Sequence, residues 1–243
     1  MNQKYIQDPA DNYQDSICTL DLYYPDKQTG FPTVVWFHGG GLKGGKKEIP
    51  GELKNKGIAV AGVGYRLAPR AKNPDYIRDA AAAVAWVIKN ISRYGGDSTK
   101  VVLSGHSAGG YLSLMAGMDS KWLAAHGIDN NLLAALIPLS PQCITHFTIR
   151  GENKIPELQP TVDEYAPLYH VTAKTPEIVL ITGDRETELF GRYEENAYME
   201  KMLKLNGRTD VSLYELDGFD HGEMARPGSL LLANIVKKKF GIK

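Results

Sequence analysis

A short glycine-containing segment has the residue types needed to present a serine as a nucleophile. It reads Gly-His-Ser-Ala-Gly from Gly105 to Gly109, after an apolar run at residues 101–104 and before an apolar, helix-like stretch. A sharp turn between a strand and a helix brings backbones close together, so small residues are needed around the serine. The pattern predicts that Ser107 is held up toward solvent to attack an acyl carbonyl, with an ordinary glycine-rich turn as the alternative.

A second glycine run has the composition of a loop that stabilises negative charge. The sequence His-Gly-Gly-Gly at residues 38–41 follows an apolar run, and glycines there can turn backbone N–H groups toward a developing oxyanion. The amides of Gly40 and Gly41, with that of Ala108 after the serine, are the expected donors. A phosphate-binding loop is the alternative, but Gly-Gly-Lys-Lys at residues 44–47 lacks the Walker spacing and a following Ser or Thr.

A serine nucleophile needs a base, and the position of His221 fits that role. Of six histidines, it alone lies in a loop between the last predicted strand, residues 211–216, and the final predicted helix. His38 and His106 belong to the two glycine segments and are expected to support the site. The other three histidines are expected on the surface or in a lid.

A catalytic histidine also needs a carboxylate that fixes its tautomer and stabilises the imidazolium. Asp184 and Glu186 are the candidates, because both follow a predicted buried strand. Residue type favours Asp184, since aspartate is the commoner partner. Asp217 and Asp220 are poorer candidates because they are too near His221 in sequence to approach its far ring nitrogen. The order serine, acid, histidine is the order found in α/β-hydrolases.

The elements that must position these residues follow an alternating pattern. Runs rich in Val, Ile and Leu recur between helix-like segments, which predicts an α/β fold with a mostly parallel central sheet and helices on both faces. A run at residues 18–23 alternates apolar and polar side chains, as expected of an antiparallel strand at the edge of the sheet. The other predicted strands lie at residues 33–37, 58–63, 101–104, 134–139 and 177–182, with the last strand at 211–216.

Capping residues mark the clearest helix, and prolines mark the least regular segment. Asn73 is the expected N-cap, Pro74 the first helical residue and Gly95 the end of that helix. Residues 141–176 contain five prolines, at positions 141, 156, 160, 167 and 176, and are expected to form a loop or a small lid beside the site. Further helices are predicted at residues 108–118, 188–205 and 229–240.

Length and composition restrict the possible functions. The 243 residues suit a single domain over residues 1–243. Lys plus Arg and Asp plus Glu both number 28, so neither nucleic acid nor anionic membrane is an expected partner. No apolar run approaches the roughly 20 residues that span a bilayer, and the start lacks the features of a signal peptide. A soluble chain is expected, cytoplasmic as written and exported if a signal peptide has been removed.

The cysteines and the remaining polar residues give no sign of a metal or cofactor site. Cys18 and Cys143 are too few for a disulfide framework and have no metal-binding spacing. Two free buried thiols are expected, with one disulfide as the alternative. The chemistry above uses side chains and backbone amides alone, so no cofactor is expected.

Four motifs carry a resemblance to a known superfamily: His-Gly-Gly-Gly at 38–41, Tyr-Arg-Leu-Ala-Pro at 65–69, Gly-Gly-Asp at 95–97 and Gly-His-Ser-Ala-Gly at 105–109. Together they resemble carboxylesterases of the α/β-hydrolase superfamily. The first two are similar to hormone-sensitive lipases, but only 31 residues precede the strand beginning near Pro32, too few for that family's N-terminal cap. The chain instead resembles small bacterial esterases of the acetyl xylan and feruloyl esterase type, and kynurenine formamidases.

The resemblance implies the α/β-hydrolase fold and a serine esterase that forms an acyl-enzyme. A small-molecule or carbohydrate ester is the implied substrate. With a small lid at most, the site is expected to be open and to favour short acyl chains. Substrate identity does not follow from the fold, and the oligomeric state is not indicated.

The same resemblance bears on the triad acid. In formamidases and prolyl-oligopeptidase-like hydrolases, the acid falls three residues after the small residue that ends the strand, here Gly183, which points to Glu186. Phe190 and Arg192 fall four and six residues after Glu186, as an aromatic residue and an arginine do after the formamidase acid. Position therefore favours Glu186, with Asp184 holding the turn through backbone hydrogen bonds.

Two other functions stay open as alternatives. The same triad serves amides, so a formamidase or a peptidase related to prolyl oligopeptidase is one, although no gating domain of the kind such peptidases carry is expected. A catalytically inactive binding module that retains the fold is the other. Labelling with a fluorophosphonate separates the two classes, because an inactive module does not react.

Overall fold

An eight-stranded sheet organises the chain in the computed structural model, which describes residues 2–242. The strands are β1 Asn2–Lys4, β2 Thr19–Tyr23, β3 Phe31–Phe37, β4 Ala59–Val63, β5 Gly96–His106, β6 Ala135–Leu139, β7 Ile178–Gly183 and β8 Val211–Leu216. Their order across the sheet is β1-β2-β4-β3-β5-β6-β7-β8. The β1·β2 and β2·β4 pairs are antiparallel and the other five pairs are parallel. The expectation of a mostly parallel sheet is confirmed.

Helices cover both faces of this sheet, as expected. Within residues 2–242 they are α1 Asn12–Ile17, α2 Asp75–Asn90, α3 Ala108–Met118, α4 Ser120–Ala124, α5 Phe147–Glu152, α6 Arg192–Leu205 and α7 Ala225–Phe240. Side chains of β3 alternate between two apolar clusters, because successive residues of a strand point to opposite faces. Val35 and Phe37 pack in the cluster that contains residues of α2, α3 and α6, whereas Val34 and Trp36 pack with residues of α7.

Several local expectations differ from the structure. Helices α6 and α7 begin at Arg192 and Ala225 rather than at residues 188 and 229, and α2 ends at Asn90 rather than near Gly95. The strand expected at the edge, β2, is the second strand, because β1 pairs outside it with Gln3 opposite Leu20. Three residues are too few for a periodicity to reveal β1. Helix α2 begins at Asp75 with Pro74 as its N-cap, so the N-cap and the first helical residue are each one residue later than predicted. The Asn73 amide donates to the Glu152 side chain.

The proline-containing segment at residues 141–176 is fastened to the body of the protein. It contains α5 and a 3₁₀ turn at Pro167–His170. The Tyr111 hydroxyl donates to Tyr165 O at 2.7 Å, and the Tyr76 hydroxyl donates to Glu152. These bonds join both halves of the segment to helices on one face of the sheet.

The expected free thiols are confirmed. Cys18 and Cys143 are both unpaired and buried.

The turn that follows β5 lies directly against the end of β3. A Cβ atom on Gly109 would lie 1.9 Å from Phe37 O, and one on Gly105 would lie 2.4 Å from the same oxygen. Both contacts are with main chain, which cannot rotate away as a flexible side chain can. Glycine at these two positions is therefore required if the turn is to sit beside the loop that begins at His38.

Replacement of Gly109 by alanine is expected to destabilise the fold by about 2 kcal/mol or more, since the added methyl group overlaps backbone and the strand or the turn must shift. Thermal unfolding followed by circular dichroism measures this. Gly151→Ala is the matched control. Gly151 lies in α5, and an added methyl group there would have no neighbouring atom within 4 Å, so its variant is expected to be as stable as the wild type or slightly more stable. Equal melting temperatures for both variants would contradict the close approach.

Candidate active site

Ser107 lies between the last residue of β5 and the first residue of α3. Its backbone has φ 55° and ψ −115°, a conformation that residues other than glycine rarely adopt. The Ser107 amide donates to Leu139 O at 2.8 Å, which fastens the turn to the end of β6. The residue is 7% exposed, less than expected for a serine held toward solvent. Its neighbours cover it, since a Cβ on Gly39 would lie 3.7 Å from Ser107 Cβ.

His221 lies in the loop between β8 and α7, where the sequence places it, and it contacts Ser107. The distance from His221 Nε2 to Ser107 Oγ is 2.8 Å, within the range in which a base can take a hydroxyl proton. The expected pairing of this serine and this histidine is therefore present in the structure.

His106 supports the loop that carries His221. Its Nε2 lies 2.7 Å from His221 O, and the two rings are 4.8 Å apart. Burial, followed by the nearby charge of His221, lowers the pKa of His106 to about 4. The His106 ring is thus neutral at neutral pH, and it can donate its Nε2 proton to the His221 carbonyl.

The carboxylate in contact with His221 belongs to Glu188. Glu188 Oε1 is 2.5 Å from His221 Nδ1, and the Glu188 side chain is 1% exposed. Its oxygens also accept hydrogen bonds from the Leu189 amide at 2.8 Å, the Gly183 amide at 3.1 Å and the Ser140 hydroxyl at 2.7 Å. A buried carboxylate with this many donors is held in one orientation.

The same contacts decide the charge of Glu188. Burial acts to raise the pKa of its carboxyl group, but the hydrogen bond and charge of His221, with the donors at Leu189 and Ser140, lower the pKa to about 2. Glu188 is therefore ionised at neutral pH. An ionised carboxylate on Nδ1 fixes the tautomer that leaves Nε2 free to accept a proton, and it stabilises the imidazolium that results.

Neither carboxylate expected from the sequence contacts His221. Glu186 is exposed, and its amide donates to Asp184 Oδ1 at 2.9 Å. Asp184 Oδ2 accepts from the Gly218 amide at 2.7 Å, and these two backbone bonds hold the pKa of Asp184 below its usual value. Asp184 thus holds the turn, the role expected for it if it were not the acid, while the expectation of Glu186 as acid is wrong.

A helical turn explains why the acid lies two residues beyond the expected position. The amides of Thr187 and Glu188 both donate to Asp184 O, at 3.0 and 2.8 Å. One turn after Asp184, the chain brings Glu188 back over the end of β7, whereas Glu186 points to solvent. The signal in the sequence is Asp184 itself, because aspartate directly after a strand is a favoured N-cap and its side chain here accepts from the second amide of the turn.

The glycine loop at residues 38–41 has backbone amides available beside the serine. Gly40 has φ 112° and Gly41 has φ 62°, and the Gly40 carbonyl accepts from the amides of Lys43 and Gly44 at 3.0 Å. In the part of the chain that the structure describes, the amides of Gly40 and Gly41 donate to no protein group. Ala108 is the first residue of α3, where helix amides lack intrahelical acceptors.

His38 and Tyr65 support this loop through stacking and hydrogen bonds. The His38 ring is 2% exposed and stacks on Tyr65 at 4.3 Å, with Nδ1 2.7 Å from Gly39 O. The Tyr65 hydroxyl donates to His38 O at 2.7 Å. Burial lowers the pKa of His38, so His38 supports the loop as a neutral ring.

His146 is more deeply buried than the sequence indicates. It is 0% exposed and caps α5, with Nδ1 accepting from the Thr148 amide at 3.2 Å. The Thr148 hydroxyl donates in turn to Gly41 O. His146 therefore positions the helix that contacts the glycine loop, a role with no signal in the spacing of the histidines.

Comparisons with known proteins identify the fold that carries this geometry. Residues 20–139 match the BD-FAE family model. Over 99% of its length, the chain superposes on 94% of Thermogutta terrifontis esterase 2 phosphonylated by cyclosarin, with a TM-score of 0.79 and 24% sequence identity. The protein has the α/β-hydrolase fold. A truncated form of a carbohydrate esterase from gut microbiota also has a TM-score of 0.79 with this chain, at 17% identity and with 98% and 94% of the two chains covered.

Curated relatives of this chain are named esterases. The isoprenylcysteine alpha-carbonyl methylesterase ICME of Arabidopsis thaliana is 35% identical over 222 residues, which cover 80% of this chain and 52% of the relative. Esterase LipC of Mycobacterium tuberculosis is 27% identical over 216 residues, covering 79% and 53%. The chain thus spans about half the length of the curated relatives it matches. At the identities of the solved structures, the likeness establishes the fold alone.

Two other kinds of feature are absent from residues 2–242. None of their helices has the length and apolar composition needed to cross a membrane. No group of three or more His, Cys, Asp and Glu side chains among them is arranged to hold a metal ion.

Glu188→Gln is expected to lower kcat for an ester by about four decades, the loss typical of neutralising a triad acid, because the amide favours the wrong imidazole tautomer. Glu186→Gln is the matched control: the same chemical change, two residues away and exposed, is expected to alter kcat less than about threefold. Initial rates at saturating substrate, with circular dichroism as the test of folding, measure both. If the two folded variants ranked in the opposite order, the contact between Glu188 and His221 would not be the functional one.

Proposed function

We propose that this α/β-hydrolase cleaves carboxylic esters through a serine-bound acyl-enzyme. The observation that carries the proposal is the continuous hydrogen-bonded chain from Ser107 Oγ through both nitrogens of His221 to a buried Glu188 carboxylate. A serine, an imidazole and an oriented acid in this order supply the nucleophile and the general base that nucleophilic acyl transfer uses.

In the proposed mechanism, Ser107 Oγ attacks the acyl carbonyl carbon as His221 Nε2 takes the hydroxyl proton. Glu188 remains ionised and stabilises the imidazolium. The amides of Gly40, Gly41 and Ala108 bind the oxyanion of the tetrahedral intermediate. His221 then gives its proton to the leaving alcohol oxygen, the ester C–O bond breaks, and water repeats the sequence on the acyl-enzyme to release the acid.

Around Ser107, the Glu188 carboxylate is charged, whereas the His38 and His106 rings are neutral. Glu188 is ionised because the donors that lower its pKa outweigh burial, while burial lowers the pKa of His106 and of His38 and keeps both rings neutral. A second positive ring beside His221 would oppose formation of the imidazolium, so neutral supporting histidines favour proton transfer to Nε2. The buried Arg192 side chain donates to the Ser140 carbonyl rather than to a triad residue.

The names of the relatives favour esters over amides as substrates. Both ICME and LipC are named as esterases, and a third relative, LipM of Mycobacterium tuberculosis, is named a probable carboxylic ester hydrolase. The alternative of a catalytically inactive binding module is disfavoured by the geometry, since the base lies within hydrogen-bond distance of both the serine and the acid.

Short acyl chains are the proposed substrates, and the packing next to the glycine loop supports this. The Phe147 ring lies against Gly41, where a Cβ would be 3.0 Å from Phe147 Cζ. Helix α5, which carries Phe147, is fixed at Gly41 O through Thr148 and at α2 through Glu152. The proposal places the acyl chain on this side of the oxyanion amides, where a long chain would meet the Phe147 ring and the methyl group of an acetyl ester would not.

Ser107→Ala is expected to remove nearly all turnover of p-nitrophenyl acetate, by about six decades in kcat, because no other nucleophile serves the reaction. Ser113→Ala is the control, since Ser113 is a buried serine whose hydroxyl bonds only to Gly110 O. That variant should keep wild-type activity. A fluorophosphonate should label the wild type and Ser113→Ala but not Ser107→Ala. More than about one per cent residual activity in purified Ser107→Ala would assign the chemistry to another residue.

Acetyl esters are expected to exceed palmitoyl esters in kcat/KM by roughly tenfold or more, because a long acyl chain is proposed to meet Phe147 of α5. The measurement is kcat/KM for p-nitrophenyl esters from acetate to palmitate. A higher kcat/KM for palmitate than for acetate would contradict the proposed size limit.

Two further substrates test the alcohol and the alternative reaction. Acetylated sugars, compared with simple alkyl acetates, show whether the alcohol is a carbohydrate. An N-formyl amide tests amide hydrolysis.

A further inference from the structure

Ser140 contacts both residues that activate Ser107, although the mechanism above gives it no part. Its hydroxyl oxygen is 2.7 Å from Glu188 Oε2 and 3.0 Å from His221 Nδ1. The residue is 0% exposed, so water does not compete for the hydroxyl. It follows β6 directly in the chain, at the same edge of the sheet as the serine turn.

The backbone of Ser140 is held in an uncommon conformation. Its φ is 45°, in the left-handed region where glycine is the usual residue. The Ser140 amide donates to Ile181 O in β7 at 2.6 Å, and its carbonyl accepts from Arg192 Nη1 at 2.7 Å. Arg192 is itself buried, at 3% exposed. Contacts from β7 and α6 therefore hold the Ser140 backbone in place, which limits the directions in which its hydroxyl can point.

The donors and acceptors around this hydroxyl allow one arrangement when Glu188 is ionised. A carboxylate only accepts hydrogen bonds, so the hydroxyl proton goes to Glu188 Oε2. A lone pair on Ser140 Oγ then faces the proton on His221 Nδ1. That proton is shared between Glu188 Oε1 at 2.5 Å and Ser140 Oγ at 3.0 Å. The hydroxyl thus fixes the rotation of the carboxylate and one side of the imidazole together.

We infer that Ser140 is a positioning residue of the esterase site, whose hydroxyl holds the Glu188 carboxylate and the His221 ring in the orientation that aims Nε2 at Ser107. This role rests on the proposed esterase function. A glycine would keep the left-handed backbone but lose the hydroxyl. The choice of serine over glycine at a conformation that favours glycine points to a use for the side chain.

Ser140→Gly is the variant that tests the role, because glycine accepts a left-handed φ without strain and removes the hydroxyl. We expect kcat for p-nitrophenyl acetate to fall about 10- to 100-fold, the effect of losing one hydrogen bond to a charged group, with KM changed less than about twofold. The low-field ¹H NMR resonance of the His221 Nδ1 proton, assigned by its loss in His221→Ala, should shift or broaden. Ser140→Ala serves as a second hydroxyl-free variant if Ser140→Gly folds poorly.

Ser113→Ala is the matched control for loss of a buried serine hydroxyl, and it should leave both kcat and the resonance unchanged. A kcat within about twofold of wild type in folded Ser140→Gly overturns the role. A lowered kcat with an unmoved resonance also overturns it, since packing alone would then explain the loss. A wild-type protein that hydrolyses no ester overturns the proposed function, whereas an active wild type with an unaffected Ser140→Gly overturns only the role of Ser140.

Discussion

The contact of main chain with main chain between the serine turn and the end of β3 is the constraint on which the site depends. With Gly109 and Gly105 both pressed against Phe37 O, no side chain separates the turn from the strand that leads into residues 38–41. The glycine loop and the nucleophile are therefore neighbours by virtue of the backbone alone.

Parallel pairing then brings the remaining parts to the same place. In a parallel sheet, all carboxyl ends lie along one edge, and β3, β5, β6, β7 and β8 are parallel neighbours. Strand β4 also ends at this edge, since it pairs in parallel with β3. Five of the loops that leave the edge carry the glycine loop, Ser107, Ser140, Glu188 and His221 in turn. Each loop contributes one function, so the chemistry is assembled by the order of strands rather than by closeness in sequence.

The elements that short-range patterns define are predictable from the sequence, and those set by loop geometry are not. The helix predicted at residues 108–118 and the strand predicted at 211–216 are the ones the structure shows, because apolar periodicity and flanking glycines mark them locally. The pairing of Ser107 with His221 follows from their places after strands. The triad acid does not, because three carboxylates lie in one loop and a single helical turn decides which of them faces inward.

The parts of the proposed site come from both halves of the chain. The BD-FAE match covers residues 20–139, which include the glycine loop, the serine turn and the strands that hold them. Glu188, His221 and the segment around α5 lie beyond that range, but the superposition on Thermogutta terrifontis esterase 2 covers 99% of the chain, so the elements that carry them belong to the common fold as well. The proposed nucleophile and oxyanion amides thus come from one part of the sheet, and the proposed base and acid come from the other. The parallel pairing of β6 with β7 joins these two parts, and the proposed chemistry therefore depends on this pairing as much as on the residues themselves.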